Sequence, residues 1–131
     1  MNPFTRASLA WAVAAMTIFA AAPRPADAAG ASGRWSVSGR SAYSSVTPVC
    51  LITQAGSRIS GTCRGPNAAG PVSGTVVGAT IAFQWRTTAT TRVGVTGMVT
   101  FRGVLGRDGV VRGTYTLTGS PGAGTFVMQR S

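Results

Sequence analysis

The sequence predicts an all-β protein, an antiparallel up-and-down barrel of about eight strands, and three observations support this. Apolar and polar residues alternate through most of the chain after residue 32, as they do in half-buried strands. Short turns that contain glycine separate these runs. No run of useful length has the helical period. A closed barrel leaves no exposed sheet edge, and a two-sheet β-sandwich is the alternative architecture.

The first 28 residues have the composition of a cleaved signal peptide. Arg6 supplies the positive start, residues 7–22 form an apolar core, and the Ala-Asp-Ala at 26–28 fits a small-x-small cleavage site. We expect cleavage after Ala28 and export to the periplasm or the cell exterior.

A membrane anchor is the other interpretation of the apolar run. The run is shorter than the roughly 20 residues that a spanning helix needs, and Pro23 follows it directly. Cleavage after Ala28 leaves a single domain over residues 29–131, and cleavage after Ala22 is the alternative.

Cys50 and Cys63 are expected to form a structural disulfide. A two-residue turn at Gly56-Ser57 places them opposite each other, at a non-hydrogen-bonded pair where Cα atoms lie about 4.5 Å apart. Disulfides persist in exported proteins. Redox sites usually have their cysteines closer together, as in Cys-x-x-Cys, so we interpret this pair as a staple.

Two further hairpins are predicted to have one apolar and one polar face. The first turns at Gly78-Ala79, and the second turns through the Gly-Arg-Asp-Gly at 106–109. Their apolar faces, with those of neighbouring strands, should point into the barrel. The expected inward residues are Ile52, Val72, Val76, Ile81, Phe83, Trp85, Val99, Phe101, Tyr115 and Phe126.

A short repeat, apolar-x-Gly-x-apolar, places glycines on the same inward face. It occurs around Gly61, Gly74 and Gly113. Glycine in a strand permits tight coiling and leaves room for a ring on the opposite strand, as Gly74 would for Phe83. We therefore interpret the repeat as a source of barrel curvature.

Gly33, Trp35 and Arg130 form a pattern across the two ends of the domain. In an eight-stranded up-and-down barrel the last strand pairs with the first, so Arg130 should lie beside Trp35, both inward, with guanidinium stacked on indole. This pattern resembles the calycin superfamily, the lipocalin-like and avidin-like barrels. Their first strand has Gly-x-Trp, and a basic residue of their last strand crosses the indole. The resemblance implies structural roles for Trp35 and Arg130.

The chain also departs from that superfamily. It lacks the Thr-Asp-Tyr turn of the larger lipocalins, and the inward residues lack the polar cluster with which avidin-like barrels hold biotin. We therefore expect any cavity to be apolar. Residues 32–39, SGRWSVSG, are similar to the first strand of small periplasmic inhibitors of secreted metalloproteases. Those inhibitors insert an N-terminal arm into the protease, and cleavage after Ala28 would leave this chain a short arm.

An enzymatic function is not expected. The chain has no histidine, glutamate or lysine, and the predicted domain has one acid, Asp108, which lies in a turn. The residues needed to build an acid–base pair, a catalytic triad or a metal site of histidines or carboxylates are therefore missing from the predicted domain. We predict no catalytic residues, no metal and no cofactor.

The predicted domain is strongly basic. Its ten arginines less one aspartate give a net charge of +9, which favours anionic partners such as lipid headgroups or acidic polysaccharide. Compositional bias from GC-rich coding is the other explanation of arginine without lysine. We expect no specific binding of nucleic acid.

Three functions remain open from sequence. The barrel could bind a small apolar ligand, bind a protein such as a secreted protease, or bind anionic surfaces as a cationic envelope protein. For the first function we expect residues 87–97 to form the rim of the mouth. The expected ligand-binding residues are Phe83, Trp85, Phe101 and Tyr115.

Overall fold

The computed structural model describes residues 30–131, so the predicted signal peptide and its cleavage site lie outside the described residues. This part of the chain has no helix, and hence none long and apolar enough to cross a membrane. It has nine strands. They are β1 (Gly33–Arg40), β2 (Ser45–Val46), β3 (Val49–Ala55), β4 (Arg58–Arg64), β5 (Ala68–Val77), β6 (Thr80–Ala89), β7 (Gly97–Leu105), β8 (Val111–Leu117) and β9 (Gly124–Arg130).

Eight of the strands close into an antiparallel barrel. Neighbours follow the order β1-β3-β4-β5-β6-β7-β8-β9, and β9 pairs back onto β1. The ninth strand, β2, was not predicted. It has two residues and pairs only with the last two residues of β1. The closed ring confirms the predicted all-β up-and-down barrel and rules out the β-sandwich.

Because consecutive strands run up and down, the connections divide between two ends of the barrel. We call one end the basal end. It comprises the leading residues 30–32 and the turns at 56–57, 78–79 and 106–110. We call the opposite end the mouth. Its connections are residues 41–48, 65–67, 90–96 and 118–123.

All three predicted hairpin registers are confirmed. Directly opposite residues include Cys50 and Cys63 in the β3–β4 hairpin, Val72 and Trp85 in the β5–β6 hairpin, and Phe101 and Tyr115 in the β7–β8 hairpin. In the third hairpin the turn lies at the predicted Gly-Arg-Asp-Gly, where Gly109 has a φ of +80° and the Gly106 N–H donates to the Val110 carbonyl at 2.9 Å. Turn chemistry and the alternation of side chains together specify each register.

The predicted inward face forms the core. Of the ten expected residues, nine are buried, and Val76 is half-buried and packs against them. Aromatic rings fill the middle of the barrel around Phe101. Its ring stacks on Phe83 at 4.6 Å between centroids, meets Phe126 edge-on at 5.0 Å and lies 5.9 Å from Tyr115. Such pairs add to the free energy of area burial.

Gly74 has the close contact expected of it. A Cβ atom at this position would lie 2.5 Å from the Cβ of Phe83 and 2.1 Å from the Ala82 carbonyl oxygen. Both distances are too short for any larger residue, so glycine lets β5 approach β6 beside a stacked ring.

Arg130 and Trp35 meet at the basal end, as predicted. They are opposite each other in the β1–β9 pair, and the Arg130 Cζ lies 4.4 Å from the centroid of the indole ring. Only Trp35 is buried; Arg130 is exposed. Because directly opposite residues share a face of the sheet, Arg130 lies on the same inward face as Trp35, as expected, and it is exposed because it lies at the open end of the barrel. Arg130 is the last residue of β9, and its guanidinium lies against the ring while remaining in water.

Residues 31 and 32 complete this arrangement. The Trp35 Nε1 donates to the Ala31 carbonyl at 2.9 Å, and the Arg130 Nη1 donates to the Ser32 carbonyl at 2.5 Å. Gln54 of β3 accepts from the Ala31 N–H at 2.9 Å through its Oε1. The segment before β1 is thus held by side chains from the first, second and last strands of the ring.

The disulfide joins Cys50 and Cys63 across β3 and β4, with 4.0 Å between the Cα atoms. Both residues are fully buried. The bond lies within one hairpin, as predicted, and is compatible with an exported protein in an oxidising compartment.

Reduction of the Cys50–Cys63 bond should lower the melting temperature and leave the strand signal in circular dichroism intact at low temperature. The bond constrains the unfolded chain by roughly 3 kcal/mol in the chain-entropy model, whereas the hydrogen bonds between strands do not depend on it. Thermal melts with and without reductant measure the effect. Finding two titratable thiols in freshly purified, denatured protein would contradict the pairing.

Arg130→Ala should reduce the free energy of unfolding more than Arg102→Ala. The first variant loses a cation–π contact worth about 0.5–2 kcal/mol. The second removes an exposed arginine from the outer face of β7 and should change stability by no more than about 0.5 kcal/mol. Urea unfolding of both variants provides the comparison. Equal stabilities would show that the basal contact is not important.

Candidate functional site

A pocket of about 190 Å³ opens at the mouth. Three of the mouth connections line it, together with the ends of β6 and β8. Its apolar lining comes from Val46, Ala68, Trp85, Val93, Val95 and Leu117. Its polar lining comes from Ser45, Thr47, Asn67 and Thr87. No ionisable side chain lines the pocket, so its walls are apolar with a few neutral polar groups.

Trp85 is the largest side chain in the lining. Its position on β6, opposite Val72 and Val99, directs the indole inward, and 3% of the residue is exposed. A Cβ at Gly65 would lie 3.3 Å from the Trp85 Cη2, so the far edge of the ring reaches the β4–β5 connection. The absence of a side chain at Gly65 keeps the space beside this edge open.

The Trp85 Nε1 is buried and has no hydrogen-bond partner among the described residues. The Nε1 of Trp35, by contrast, donates a hydrogen bond to the Ala31 carbonyl. Tryptophan N–H groups in protein interiors usually find an acceptor, and an unpaired buried donor is destabilising. A ring that lines the pocket therefore carries an unsatisfied donor.

The other three expected ligand-binding residues lie away from the pocket lining. In the barrel interior, Phe101 contacts both Phe83 and Tyr115. The Tyr115 hydroxyl lies 3.2 Å from the Ser44 Oγ and 3.3 Å from the Ser44 carbonyl oxygen, so it anchors the 41–48 connection. The structure thus places Trp85 at the pocket and the other three rings in one interior cluster.

Thr87 anchors the 90–96 connection, which borders the pocket. Its Oγ1 donates to the Val95 carbonyl at 2.8 Å and accepts from the Gly97 N–H at 2.9 Å. Sequence reasoning placed residues 87–97 in the rim, whereas β6 continues to Ala89 and the connection covers 90–96. Thr87 is therefore a buried residue of β6, and its alternation with Trp85 was the signal that could have shown this.

Asn67 joins two of the mouth connections. Its carbonyl accepts from the Thr90 N–H at 2.8 Å, and its Oδ1 accepts from the Thr91 Oγ1 at 2.9 Å. A Cβ at Gly94 would lie 1.9 Å from the Asn67 carbonyl oxygen, so the backbones pack directly together. Sequence reasoning did not find this contact, since its partners are far apart in the chain. It makes the pocket wall a fixed structure.

The only ion pair that the structure shows in residues 30–131 is at the basal end, far from the pocket along the barrel axis. Arg112 Nη2 lies 2.9 Å from Asp108 Oδ2. The hydrogen bond from Arg112, followed by that from the Val110 N–H, lowers the pKa of Asp108 from its usual value. In the same part of the chain no three histidine, cysteine or acidic side chains meet in a group that could hold a metal ion.

Thr87→Val should destabilise the mouth, and Thr88→Val is its matched control. Valine keeps the shape of Thr87 but leaves a carbonyl and an N–H without their partner, at a cost of roughly 1–3 kcal/mol. Thr88 is exposed on the same strand, and no effect above about 0.5 kcal/mol is expected there. Urea unfolding gives the stabilities, and hydrogen exchange of the Gly97 amide should be faster in the Thr87 variant alone. Unchanged protection of that amide would refute the anchoring role.

Comparison of the chain with protein-family models, curated proteins and solved structures found no match. The pocket itself has three distinguishing properties, namely its volume, the absence of charged side chains from its lining and the unpaired indole donor of Trp85.

Proposed function

We propose that the protein is an exported, calycin-like barrel that binds a small neutral molecule in the pocket at its mouth. The observation that carries the proposal is a pocket of about 190 Å³ that is lined by the buried Trp85. Hydrogen bonds join two of the connections that border it, 65–67 and 90–96.

The volume limits the ligand to about one ring. An apolar cavity of about 150 Å³ is large enough for benzene, while pockets for drug-sized molecules measure about 300–1,000 Å³. A pocket of about 190 Å³ therefore suits a single ring with a short substituent. The aromatic cluster around Phe101 fills the interior below, which disfavours a long lipid-like ligand.

The lining favours a neutral molecule. A charged ligand would lose its hydration in contact with these walls and find no opposite charge among the lining residues. Such desolvation is costly. The neutral polar groups at the rim, Ser45, Thr47 and Asn67, can contact water or a substituent that points outward.

The mouth is preorganised for binding. Thr87 holds the 90–96 connection to the barrel, and Asn67 holds it to the 65–67 connection. A pocket whose walls are already ordered loses less conformational entropy when the ligand enters, so more of the contact free energy appears as affinity.

The closed eight-stranded ring and the contact between Trp35 and Arg130 support the calycin-like classification. The Cys50–Cys63 disulfide and the signal-like residues 1–28 support export. Binding to anionic surfaces or to a secreted protease remains a prediction from charge and from the resemblance of residues 32–39.

Toluene should bind the pocket, and Gly65→Leu should weaken its binding by about tenfold or more. The leucine side chain would occupy the space beside the Trp85 ring. Methyl signals of Val46, Val95 and Leu117 in carbon–proton NMR spectra should shift on titration, because these residues line the pocket.

Thr62→Leu is the control for this experiment. Thr62 lies on β4, three residues before Gly65, and is exposed on the outer face, so its replacement should leave the titration unchanged. Toluene that shifts none of the three methyl signals, or that binds both variants equally well, would contradict the proposed site.

A further inference from the structure

We infer that the mouth of the barrel docks on a bilayer that contains anionic lipids, and that two turn tips of the mouth make the contact. The tips are Ala42-Tyr43 in the 41–48 connection and Arg92-Val93 in the 90–96 connection. This inference goes beyond the proposed function, because it concerns the surface around the pocket and does not depend on what the pocket binds. It is carried by the side chains that the two tips expose.

The first tip holds Tyr43 in solvent. The Ser41 N–H donates to the Ser44 carbonyl at 2.8 Å, so the chain turns through Ala42 and Tyr43. The Ser44 carbonyl and hydroxyl oxygens also lie within hydrogen-bond distance of the buried Tyr115 hydroxyl. Tyr43 is nevertheless 71% exposed. The fold therefore fixes the turn and leaves the Tyr43 ring in water.

The second tip exposes an arginine and a valine. The Gly94 N–H donates to the Thr91 carbonyl at 3.2 Å, so the chain turns through Arg92 and Val93. Both side chains are exposed, and the exposed fraction of Val93 is 74%. Hydrogen bonds to Asn67 hold this connection in place, so the fold also fixes the second tip.

The turns at the basal end have the composition that turns usually have. Glycine, proline, asparagine, aspartate and serine dominate tight turns, and the basal turns are Gly56-Ser57, Gly78-Ala79 and the Gly-Arg-Asp-Gly at 106–109. None of these turns has a large apolar side chain at its tip. The mouth has two such tips, and Val95 beside the second is 46% exposed. Apolar side chains grouped in this way at one end of a protein indicate an interaction surface.

The charged side chains around the mouth are all positive. Besides Arg92, the exposed Arg40 and Arg64 lie there, as the last residues of β1 and β4. In the described part of the chain the only acidic side chain, Asp108, lies at the basal end and is paired with Arg112. An anionic surface can therefore approach the mouth without meeting a negative side chain.

Apolar side chains next to arginines fit a lipid interface. Tyrosine and valine side chains gain free energy when they enter the boundary between headgroups and acyl chains, and arginines at the same level are attracted to anionic headgroups. A soluble acidic polysaccharide offers the negative charge without an apolar layer. Both connections that carry the tips line the pocket, so a barrel docked in this orientation turns its pocket toward the bilayer.

Two triple variants with the same net charge test which end docks. The mouth variant combines three substitutions of exposed mouth arginines, Arg40→Gln, Arg64→Gln and Arg92→Gln. The control combines three substitutions of exposed basal arginines, Arg34→Gln, Arg58→Gln and Arg107→Gln. Cosedimentation of the exported protein with vesicles of phosphatidylcholine and phosphatidylglycerol, at physiological salt, measures the affinity.

The mouth variant should bind these vesicles about a hundredfold more weakly than the unaltered protein, because each arginine that reaches an anionic surface contributes about fivefold. The basal control should stay within about threefold, since its substituted residues lie beyond the screening length from the docked surface. Vesicles of phosphatidylcholine alone should bind none of the three proteins measurably.

Val93→Ser and Val77→Ser form a second matched pair. The two valines are 74% and 71% exposed and lie at opposite ends of the barrel. Val93→Ser should weaken vesicle binding about fivefold through lost apolar contact, and Val77→Ser should leave it unchanged. Heparin, a soluble polyanion, is the probe for charge alone, and Val93→Ser should leave its affinity unchanged.

The unaltered protein gives an independent readout. In bicelles of the same lipids with a spin-labelled lipid, the amide signals of Tyr43 and Val93 should broaden, while those of Ser57 and Ala79 stay sharp. Equal losses in the two triple variants, broadening at the basal turns, or unchanged vesicle binding by Val93→Ser would overturn the inference. Absence of binding to the anionic vesicles would do the same. The pocket proposal, which the toluene titration tests separately, stands in each of these cases.

Discussion

The barrel depends above all on the pairing of its first strand with its last. Six residue pairs join β1 to β9, and without them both strands would present unpaired edges. The Trp35–Arg130 contact fastens this seam at the basal end. Nearer the mouth, Gly39 and Gly124 leave space for the Tyr115 ring, since a Cβ on either would lie within 3 Å of it. The seam thus packs against the Trp35 indole at the basal end and against the Tyr115 ring nearer the mouth.

Closure of the seam also determines where open space remains in the barrel. The inward faces of eight strands enclose a space that aromatic rings fill around Phe101. What remains is the region above Trp85, where the strands end and the connections begin. Hydrogen bonds of Thr87 and Asn67 join these connections to the barrel and to one another. A small barrel can in this way have both a packed core and a site at one end.

Much of the fold could be predicted from the sequence because its determinants are local. Glycine turns and the alternation of side chains specified the hairpin registers, and the pattern of Trp35 and Arg130 indicated the closing pair. The site was less predictable. Trp85 and Phe83 share the same face and the same alternation, so nothing local separates the ring at the pocket from the ring in the core. The contact of Asn67 with the 90–96 connection and the short strand β2 depend on how distant segments meet in space.

The antiparallel seam has a mechanical consequence. β1 begins and β9 ends at the basal end, so a force that pulls these two chain ends apart loads the seam one residue pair at a time, as a zipper opens. The Trp35–Arg130 pair and the hydrogen bond from Arg130 to Ser32 take the load first. The force needed to separate β1 from β9 should then depend more on the Trp35–Arg130 contact than on the number of residue pairs in the seam. Tension along the chain is therefore expected to open this barrel from its basal end.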